Sequence, residues 1–417
     1  MGVKGERPCD AEGVELQCSA AQMLKSAKRV TGPATAPSPS YGDSLNFRVQ
    51  ARLLAGSVGL LGQSVHLDPA PRHALPTHVD GNTSSFWADG ILHLFTSTGD
   101  PLMISRGPDQ FGPFESAPVD VSRQDHRPLW VEAAWRDEDG TIFGWYHHEP
   151  GEVCPGKPGL TAPKIGAVVS YDNGASVIDL GIVLESGDAP NCEAKNGFFA
   201  SGHGDFSAVL DREKQYFYFL FTNYGGDVSE QGVAMARLAF EDRMRPAGAV
   251  HKYYQGEWTE PGIGGHLTPI FPANRAWQGT DTDSYWGPSV HWNNDLQRYI
   301  LLMNRSCCEP GWPQEGIYLA ATYDLADPSY WGYPTKILNG DAIPEHPGYY
   351  PQVMGLEAGG TDTEAGMVSR LYIMGVSHWY LRFAYGEEEQ PVEPYDGAPV
   401  DNGNRTRPKP RKSKTTP

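Results

Sequence analysis

The sequence repeats one pattern five times: a short apolar strand, a tight polar turn and a second strand rich in aromatic residues. The repeats begin near positions 84, 131, 206, 288 and 349, and most turns carry Asp, Asn or Gly where a β-hairpin needs them. Two further strands follow in most repeats, at a period of about 50 to 70 residues. Four antiparallel strands repeated five times predict an all-β chain folded as a five-bladed β-propeller of four-stranded antiparallel blades.

The composition agrees with this prediction. The 48 glycines and 35 prolines supply turns, and aromatic residues make up 11% of the 417 positions. Blocks of Ala, Leu, Glu and Lys, which long helices need, are scarce. A pair of β-sandwiches is the alternative fold, and the regular repeat disfavours it.

The repeats place the domain boundaries. Residues 1–45 begin with a charged stretch that lacks the apolar core of a secretory signal, and they end in a linker rich in Pro, Ser and Gly. We expect this segment to be disordered or extended, the propeller to occupy 46–395, and 396–417 to form a disordered basic tail. The apolar stretch Phe47–Ala55 is predicted to complete the last blade and close the ring.

The charge limits the partners. A formal net charge of −18 argues against binding to nucleic acid or to an anionic membrane surface. No stretch of about 18 apolar residues is present, so no membrane-spanning segment is predicted.

Three carboxylates stand at or near the start of the first strand in successive repeats: Asp80, Glu132 and Asp205. In a propeller, the first strand of each blade lines the central cavity, so these groups are expected to converge there. Burying an ionised carboxylate costs several kcal/mol unless it is paired or hydrated. Carboxylates that meet in one cavity also raise one another's pKa, which marks a candidate functional site.

Each carboxylate also has a structural interpretation. Asp80 could belong to a plain turn, and Asp205 could cap a turn through backbone N–H groups. Glu132 lies inside an apolar strand, where a turn is excluded, so its structural interpretation is a buried ion pair. The candidate partners for that pair are Arg106, Arg127 and Lys164.

Two motifs carry a family resemblance. The stretch SYDNGAS, residues 170–176, is similar to the Asp-box turn of sialidase-type propellers, with Val177 where that motif has Trp. This similarity implies a structural role, in which Asp172 binds backbone groups of an outer hairpin. The stretches VDGNTSSFW, WVEAAW and GDFSAV resemble the active-site motifs of the five-bladed β-propeller glycosidases, the group of invertases, levansucrases and α-L-arabinanases.

The glycosidase resemblance implies a glycoside hydrolase that acts on an oligo- or polysaccharide. Hydrolysis needs one carboxylic acid to protonate the leaving oxygen and one carboxylate on the opposite face of the sugar. The resemblance implies Asp80 as general base or nucleophile, Glu132 as general acid, and Asp205 as the group that orients the substrate and holds up the acid's pKa. The family order along the chain is Asp, Asp, Glu, whereas this chain has Asp, Glu, Asp, so either Glu132 or Asp205 can be the acid.

Other residues near the same loops are candidates for contact with sugar. Aromatic rings suit the faces of sugars, and polar side chains suit their hydroxyl groups. The substrate-binding candidates are Trp130, His203, Tyr224, Tyr285, Trp286, Asn304, Arg305, Trp312 and Gln352. No cofactor is required, although related propellers hold a calcium ion with a His near the axis, and His78, His203 and His291 lie near strand starts.

The adjacent pair Cys307–Cys308 permits two interpretations, either two ordinary thiols or a vicinal disulfide in a loop beside the site. The function also has alternatives. A non-catalytic carbohydrate-binding propeller would explain the blades and aromatic residues, and a structural propeller would have a centre filled by apolar side chains. A polysaccharide substrate favours an extracellular or periplasmic location.

Overall fold

Five small β-sheets form the structure, a computed structural model that describes residues 63–96, 100–122, 125–345 and 348–385. Each sheet contains at least four consecutive hydrogen-bonded strands, and the inner strands of the five sheets face one axis. The predicted all-β, five-bladed propeller is therefore confirmed. Among the described residues, no helix has the length and apolar character needed to cross a membrane.

The blades are numbered along the chain, and their strands run from the axis outward. Blade 1 contains Ser84–Ala88, Ile91–Thr96, Met103–Gly107 and Glu115–Pro118. Blade 2 contains Leu129–Arg136, Ile142–His148, Lys164–Ser170, Ser176–Leu184 and the short parallel strand Asp120–Val121. Blade 3 contains His203–Leu210, Tyr216–Asn223, Gly232–Ala239, Val250–Tyr254 and Glu257–Pro261, with Phe271–Pro272 paired to its third strand.

Blades 4 and 5 are joined by one additional pair of hydrogen-bonded strands. Blade 4 contains Ser284–Asn293, Arg298–Ser306, Gln314–Thr322 and Thr335–Asn339. The short strand Glu364–Ala365, which belongs to the first hairpin of blade 5, pairs in parallel with the inner strand of blade 4. Blade 5 contains Pro351–Gly355, Val368–Ile373, Val376–Tyr385 and Gln63–Ala74. Three 3-10 turns cover Phe240–Asp242, Pro328–Tyr330 and Gly340–Ala342.

The ring is closed by a strand from each end of the described chain. Gln63–Ala74 forms the outermost strand of blade 5 and pairs antiparallel with Val376–Tyr385. The sequence analysis gave this closing role to Phe47–Ala55, which lies outside the described residues, as do the expected segments 1–45 and 396–417. The strand observed in the closing position thus begins sixteen residues later than predicted.

Adjacent blades pack through apolar side chains that alternate along the strands. Between blades 2 and 3, for example, Trp145 packs against Phe217 and Phe219 with ring centroids 4.7 and 5.5 Å apart. Burying an aromatic side chain of this size contributes roughly 1.5–3 kcal/mol. Because every blade contacts two neighbours in this way, the inner strands hold fixed positions around the axis.

Hydrogen bonds also connect each blade to the next around the axis. A side chain takes part in four of the five links: Ser84 Oγ to Val131 O, Phe206 N to Glu132 Oε2, Val290 N to Ser207 Oγ, and Thr83 N to Gln352 Oε1. The fifth link runs from Trp292 N to Thr363 O. One of the candidate catalytic residues, Glu132, is thus also a link in this ring.

The Asp-box turn joins the third and fourth strands of blade 2. Asp172 accepts hydrogen bonds from Ser176 N, Ser176 Oγ and Ser170 Oγ at 2.6 to 2.9 Å. Partial burial raises the pKa of Asp172, but these hydrogen bonds outweigh it and leave the pKa below its ordinary value. Val177, in place of the Trp of the motif, is buried among the residues of blades 1 and 2. Asp172 therefore organises the turn.

A disulfide that the sequence analysis did not predict joins Cys154, in the loop after the second strand of blade 2, to Cys192, in the connection between blades 2 and 3. Cys154 is buried and packs in a small cluster with Leu160 and Ala200. The bond closes a loop with a sequence separation of 38. It therefore ties two long connections together at the edge of the ring.

Replacing this disulfide should destabilise the protein. The variant C154S/C192S should lose about 2–4 kcal/mol of unfolding free energy, because the unfolded chain gains the freedom that the crosslink removed. Urea denaturation monitored by tryptophan fluorescence measures this loss. The control is C307S/C308S, in which the bonded cysteines are neighbours and enclose no loop, so its loss should be much smaller. Equal losses in the two variants would contradict this account.

Candidate functional site

The three carboxylates predicted from the sequence lie at the starts of the inner strands of blades 1, 2 and 3. The strand pairing shifts register at Glu132, between Val131 and Ala133, and again at Asp205, between Gly204 and Phe206. Asp205 also has a positive φ of 40°, a conformation that Asp tolerates better than most residues. A bulge of this kind redirects a side chain, and here two bulges accompany the two buried carboxylates.

Glu132 is enclosed by neighbouring groups and is only 2% exposed. Its Oε2 accepts a hydrogen bond from Phe206 N at 2.8 Å, and its Oε1 lies 3.7 Å from His147 Nδ1. Burial raises the pKa of Glu132 well above its ordinary value, against the opposing effect of His147. Glu132 therefore retains its proton more strongly than an exposed glutamate does.

Asp205 is held by two tyrosines. The Tyr224 hydroxyl donates to Asp205 Oδ2, and Tyr350 forms a further side-chain hydrogen bond with the same carboxylate. Burial raises the pKa of Asp205, and His147 and Tyr224 oppose this effect. The pKa values of Tyr224 and Tyr350 are raised in turn by burial and by the charge of Asp205.

His147 lies between these carboxylates and is the main residue that the sequence analysis missed. Its Nδ1 lies 3.7 Å from Glu132 and 3.9 Å from Asp205, and its Nε2 lies 3.4 Å from Glu149. Burial lowers the pKa of His147, but Glu149, Glu132 and Asp205 outweigh this effect and raise it to about 9. The Asp205 amide donates to Nδ1 at 3.0 Å, which favours a ring protonated only on Nε2. The nearby carboxylates thus favour the protonated, positively charged ring of His147, whereas the hydrogen bond from the Asp205 amide favours the neutral ring.

His147 has the position beside Glu132 that the sequence analysis assigned to a basic residue. Of the three candidates, Arg127 pairs with Asp100, and Lys164 pairs with Glu185. Counting the register of the first hairpin of blade 2 could have found His147, because it pairs directly with Trp130, two residues before Glu132. The polar triplet His147–His148–Glu149, at the end of an aromatic strand, was the available signal.

Asp80 lies in the loop before the inner strand of blade 1 and is only partly buried. Its pKa is raised to about 7 by burial and then by the charges of Glu149 and Asp205, while His147 lowers it. The adjacent Gly81 has a φ of 133°, which a side chain at that position would disfavour. Asp80 is thus the most accessible of the three carboxylates, and it shares its electrostatic environment with the other two.

Asn82 lies next to these groups on the axis and holds the inner strands together. Its Nδ2 donates to Phe206 O in blade 3 at 2.7 Å and to Pro288 O in blade 4 at 2.9 Å. The side chain is 4% exposed, so both bonds are protected from water. Asn82 therefore spans the interior from blade 1 to the opposite side of the ring.

Of the predicted substrate-binding residues, Trp130 and Tyr224 contact the carboxylate site directly. Trp130 is half-buried and packs edge-on against His147, with ring centroids 5.5 Å apart. Tyr224 stacks on Phe199 at 3.9 Å and holds Asp205. These two rings therefore connect the carboxylates to the aromatic residues around them.

Trp286 and Trp312 belong to an aromatic cluster next to Tyr224. The cluster also contains Phe199 and Trp277, and the half-buried Tyr349 and Tyr350 pack against it. Trp286 contacts Tyr349 and Tyr350 with ring centroids 5.1 and 5.7 Å apart. Tyr349 and Tyr350 were not predicted as site residues, although they directly precede the inner strand of blade 5, the position that the carboxylates hold in other blades.

The other predicted residues form hydrogen bonds within the protein. Gln352 joins blade 5 to blade 1 through both the N–H and the carbonyl of Thr83. Asn304 accepts a hydrogen bond from Tyr350 N, and His203 Nδ1 lies 3.1 Å from Asn223 Oδ1. These three side chains are almost fully buried, so they support the residues around the site.

Tyr285 and Arg305 lie farther along blade 4. Arg305 pairs with Asp283 at 2.8 Å and lies 5.6 Å from the centre of the Tyr285 ring. Neither residue has a described contact with the three carboxylates.

The sulfurs of Cys307 and Cys308 are bonded to each other in the loop between the second and third strands of blade 4. The same loop carries Trp312, which stacks on Phe199 at 6.0 Å. The vicinal pair is thus connected to the aromatic cluster through one loop.

A cavity of about 310 Å³ lies beside the aromatic cluster. Its lining includes Asp188, Asp227, Glu230, His266 and Gln278, so it is acidic. Gln278 donates a hydrogen bond to the carbonyl of Tyr224, which connects the cavity wall to the residue that holds Asp205. The lining of the cavity includes none of the three carboxylates, and the cavity is connected to them only through Tyr224.

No protein-family model and no curated protein matches this sequence. Several solved structures are similar in fold. The crystal structure of a thermostable family-43 glycoside hydrolase is 12% identical, with a TM-score of 0.44 over 76% of this chain and 94% of that chain. An endo-arabinase from Bacteroides thetaiotaomicron is 12% identical, with a TM-score of 0.44 over 75% and 96%.

An exo-β-1,3-galactanase from Phanerochaete chrysosporium, solved with β-1,3-galactotriose, is 10% identical, with a TM-score of 0.44 over 76% of this chain and 63% of that chain. These proteins are similar to this chain in overall architecture, and its five-bladed fold is established by its own five sheets. At these values the similarities carry no information about chemistry, and the function proposed below depends on the geometry of the site.

The raised pKa of Asp80 predicts how stability depends on pH. The folded protein binds this proton more tightly than the unfolded chain, so the stabilisation is complete below about pH 4 and is lost as the pH rises toward 7. Asp80→Asn, which is always neutral, should therefore raise Tm at pH 8 and change it little at pH 4. Differential scanning calorimetry at both pH values measures the effect.

The matched control is Asp172→Asn in the Asp-box turn. The pKa of Asp172 lies below its ordinary value, so its ionised form is stabilised by folding. This variant should lower Tm at pH 8, the opposite sign. A fall in Tm for Asp80→Asn at pH 8 would show that ionised Asp80 is well paired or hydrated.

Proposed function

We propose that this protein is a glycoside hydrolase that acts on a neutral oligo- or polysaccharide. One observation carries the proposal: Glu132 and Asp205, from neighbouring blades, lie 3.7 and 3.9 Å from His147 Nδ1, and the charge of Asp205 raises the pKa of Asp80 in the preceding blade. A structural propeller has no need of three charged groups where their burial is unfavourable. Glycoside hydrolysis needs a carboxylic acid and a carboxylate close together.

The environments of the three groups suggest different roles. Asp80 is the most accessible and has a pKa of about 7, which suits a general base or nucleophile near neutral pH. Burial raises the pKa of Glu132 well above its ordinary value, which suits the general acid. Asp205, held by Tyr224 and Tyr350, positions the substrate and modulates the acid.

The sugar would reach the site past Trp130 and the pair Tyr349–Tyr350. These three rings are half-buried, and Trp130 contacts His147. Aromatic rings pack against the C–H faces of sugars, and phenol hydroxyls bind sugar hydroxyl groups. Together with the acidic charge of the protein, they favour a neutral carbohydrate over an anionic one.

A non-catalytic carbohydrate-binding propeller is the second candidate. The enclosure of Glu132 and Asp205, which are 2% and 4% exposed, favours it, because a proton donor must reach the glycosidic oxygen. The two candidates differ in one measurable property, which is turnover.

His291 is one of the histidines considered for the calcium ion that the family resemblance implies. Both of its ring nitrogens are buried and lack a hydrogen-bond partner, and burial lowers its pKa to about 3, so the ring is neutral. Asn82 Oδ1 and Thr83 Oγ1 are also buried without a partner, and calcium prefers oxygen ligands. We propose that a structural calcium ion with water satisfies such groups near the axis.

Substitution of the three carboxylates tests the hydrolase proposal and separates their roles. Glu132→Gln should lose about 10²–10⁴-fold in kcat/KM on natural glycosides, whose leaving groups need a proton, and keep much more activity on an activated aryl glycoside. Glutamine keeps an acceptor for Phe206 N, so the link between blades 2 and 3 is preserved. Asp80→Asn should lose activity on both substrates, because activation of the nucleophile is needed in either case.

Asp205→Asn should weaken both binding and turnover and displace the pH optimum, because Glu132 loses a charged neighbour. If Asp205→Asn spares the activated substrate while Glu132→Gln does not, Asp205 is the acid. If wild type and variants all bind arabinan, galactan or xylan equally and none of the proteins cleaves these or an aryl glycoside, the protein is a binding propeller.

Calcium removal tests the metal proposal. At a calcium concentration 100 times its Kd, binding should stabilise the folded protein by about 2.7 kcal/mol relative to protein in EDTA. Thermal unfolding of wild type and His291→Gln in both buffers measures the effect, which the variant should lose. Identical Tm values for the wild type in calcium and in EDTA would contradict it.

A further inference from the structure

Three exposed tyrosines lie in the loop between the third and fourth strands of blade 4. Tyr323, Tyr330 and Tyr333 are 52%, 47% and 97% exposed. Among the described residues, Tyr171 is the fourth exposed tyrosine. The rings of Tyr323 and Tyr330 lie side by side, with centroids 4.6 Å apart and planes tilted by 37°. An exposed aromatic cluster of this kind marks an interaction surface.

The loop that carries them is rigidly attached. Trp331 is buried in the interface of blades 3 and 4, where its Nε1 donates to Met235 Sδ at 3.3 Å. Trp258, on the outer edge of blade 3, donates to Ala326 O at 2.9 Å. Asp327 caps the 3-10 turn by accepting a hydrogen bond from Ser329 N at 3.0 Å. The backbone of the loop is therefore held in place before any ligand binds, which reduces the entropic cost of binding.

The loop is separate from the carboxylate site. The strand Gln314–Thr322 begins beside the loop of Cys307, Cys308 and Trp312, and the tyrosine loop follows its other end. Changes to these tyrosines should therefore leave the chemistry at Asp80, Glu132 and Asp205 intact.

The size and chemistry of the surface indicate its ligand. Its exposed area equals about two whole tyrosine side chains, roughly 400 Å², about half of the roughly 800 Å² per partner that a stable protein interface buries. The net charge of −18 also opposes association with a second copy. Flat rings with hydroxyl groups, flanked by Asp324 and Asp327, suit a short stretch of uncharged sugars.

We propose that Tyr323, Tyr330 and Tyr333 form a surface site that binds a neutral polysaccharide chain, at a distance from the carboxylate site. The identity of the ligand rests on the proposed function, since a hydrolase of polysaccharides gains from holding the polymer at a second place. Both sites would bind the same polysaccharide chain. Attachment at the tyrosines would therefore raise the local concentration of that polysaccharide at the carboxylate site.

Binding to insoluble polysaccharide tests this proposal. The full chain, as wild type and as Y323A/Y330A/Y333A, is sedimented with arabinan, galactan and xylan. The triple variant should bind at least about tenfold more weakly to the polymer that wild type prefers, as the loss of stacked rings predicts. Its turnover of a short aryl glycoside should stay within about twofold of wild type.

Tyr171→Ala is the matched control, because Tyr171 is 62% exposed and lies on the Asp-box hairpin of blade 2. It should bind like wild type. Tyr333→Ala alone, at a nearly fully exposed position, should weaken binding without affecting folding, so a misfolded triple variant cannot decide the result. Unchanged binding in Tyr333→Ala and the triple variant, an equal loss in Tyr171→Ala, or no binding by wild type would overturn the proposal.

The same measurements separate this inference from the proposed function. Wild-type protein that binds polymer through the tyrosines but cleaves nothing would refute the hydrolase and keep the surface site. Wild-type protein that cleaves polymer, together with tyrosine variants that bind polymer normally, would support the hydrolase and refute the surface site. A loss of dimer in the triple variant, seen by light scattering, would assign the surface to a second copy and overturn the polysaccharide site.

Discussion

The hydrogen bonds that join each inner strand to the next hold the candidate site together. Strand pairing fixes the residues within a blade, and the links between blades, together with the apolar packing between them, fix one blade against another. Glu132 provides one link through Phe206 N, and Gln352 provides another through the backbone of Thr83. Because the antiparallel pair Gln63–Ala74 and Val376–Tyr385 closes the ring, a displacement in any blade is passed on to the other four. The positions of the carboxylates are therefore a property of the whole ring.

The burial of carboxylates near the axis costs free energy and therefore opposes the packing of the blades. Three carboxylates lie where burial raises the pKa of each of them. The pKa of His147, which is buried beside them, is lowered by burial and raised by the neighbouring carboxylates. Proteins tolerate such arrangements where function requires groups of unequal proton affinity. The tyrosines at Asp205 reduce the cost, because two phenol hydroxyls replace lost water.

The repeat in the sequence predicted the blades because hairpin turns and alternating apolar residues are local signals. It also predicted the strand starts at Glu132 and Asp205. The strand that closes the ring in the structure, Gln63–Ala74, was not identified, because its Pro, His and Arg residues interrupt the apolar pattern by which the other strands were found. His147 and Tyr350 escaped prediction because their roles depend on register and on the approach of a different blade. The disulfide of Cys154 and Cys192 escaped for the same reason, because it joins loops that only the ring brings together.

Asn82 has a consequence for biosynthesis. Asn82-Thr83-Ser84 has the sequence of an N-glycosylation acceptor, yet its Nδ2 donates to carbonyls of blades 3 and 4 in the interior. A glycan on that nitrogen would occupy the space of the inner strands. In a cell that glycosylates exported chains, the propeller would therefore have to close before the transferase reached this asparagine. Folding and modification would compete for one side chain, and only unmodified chains could form the closed ring.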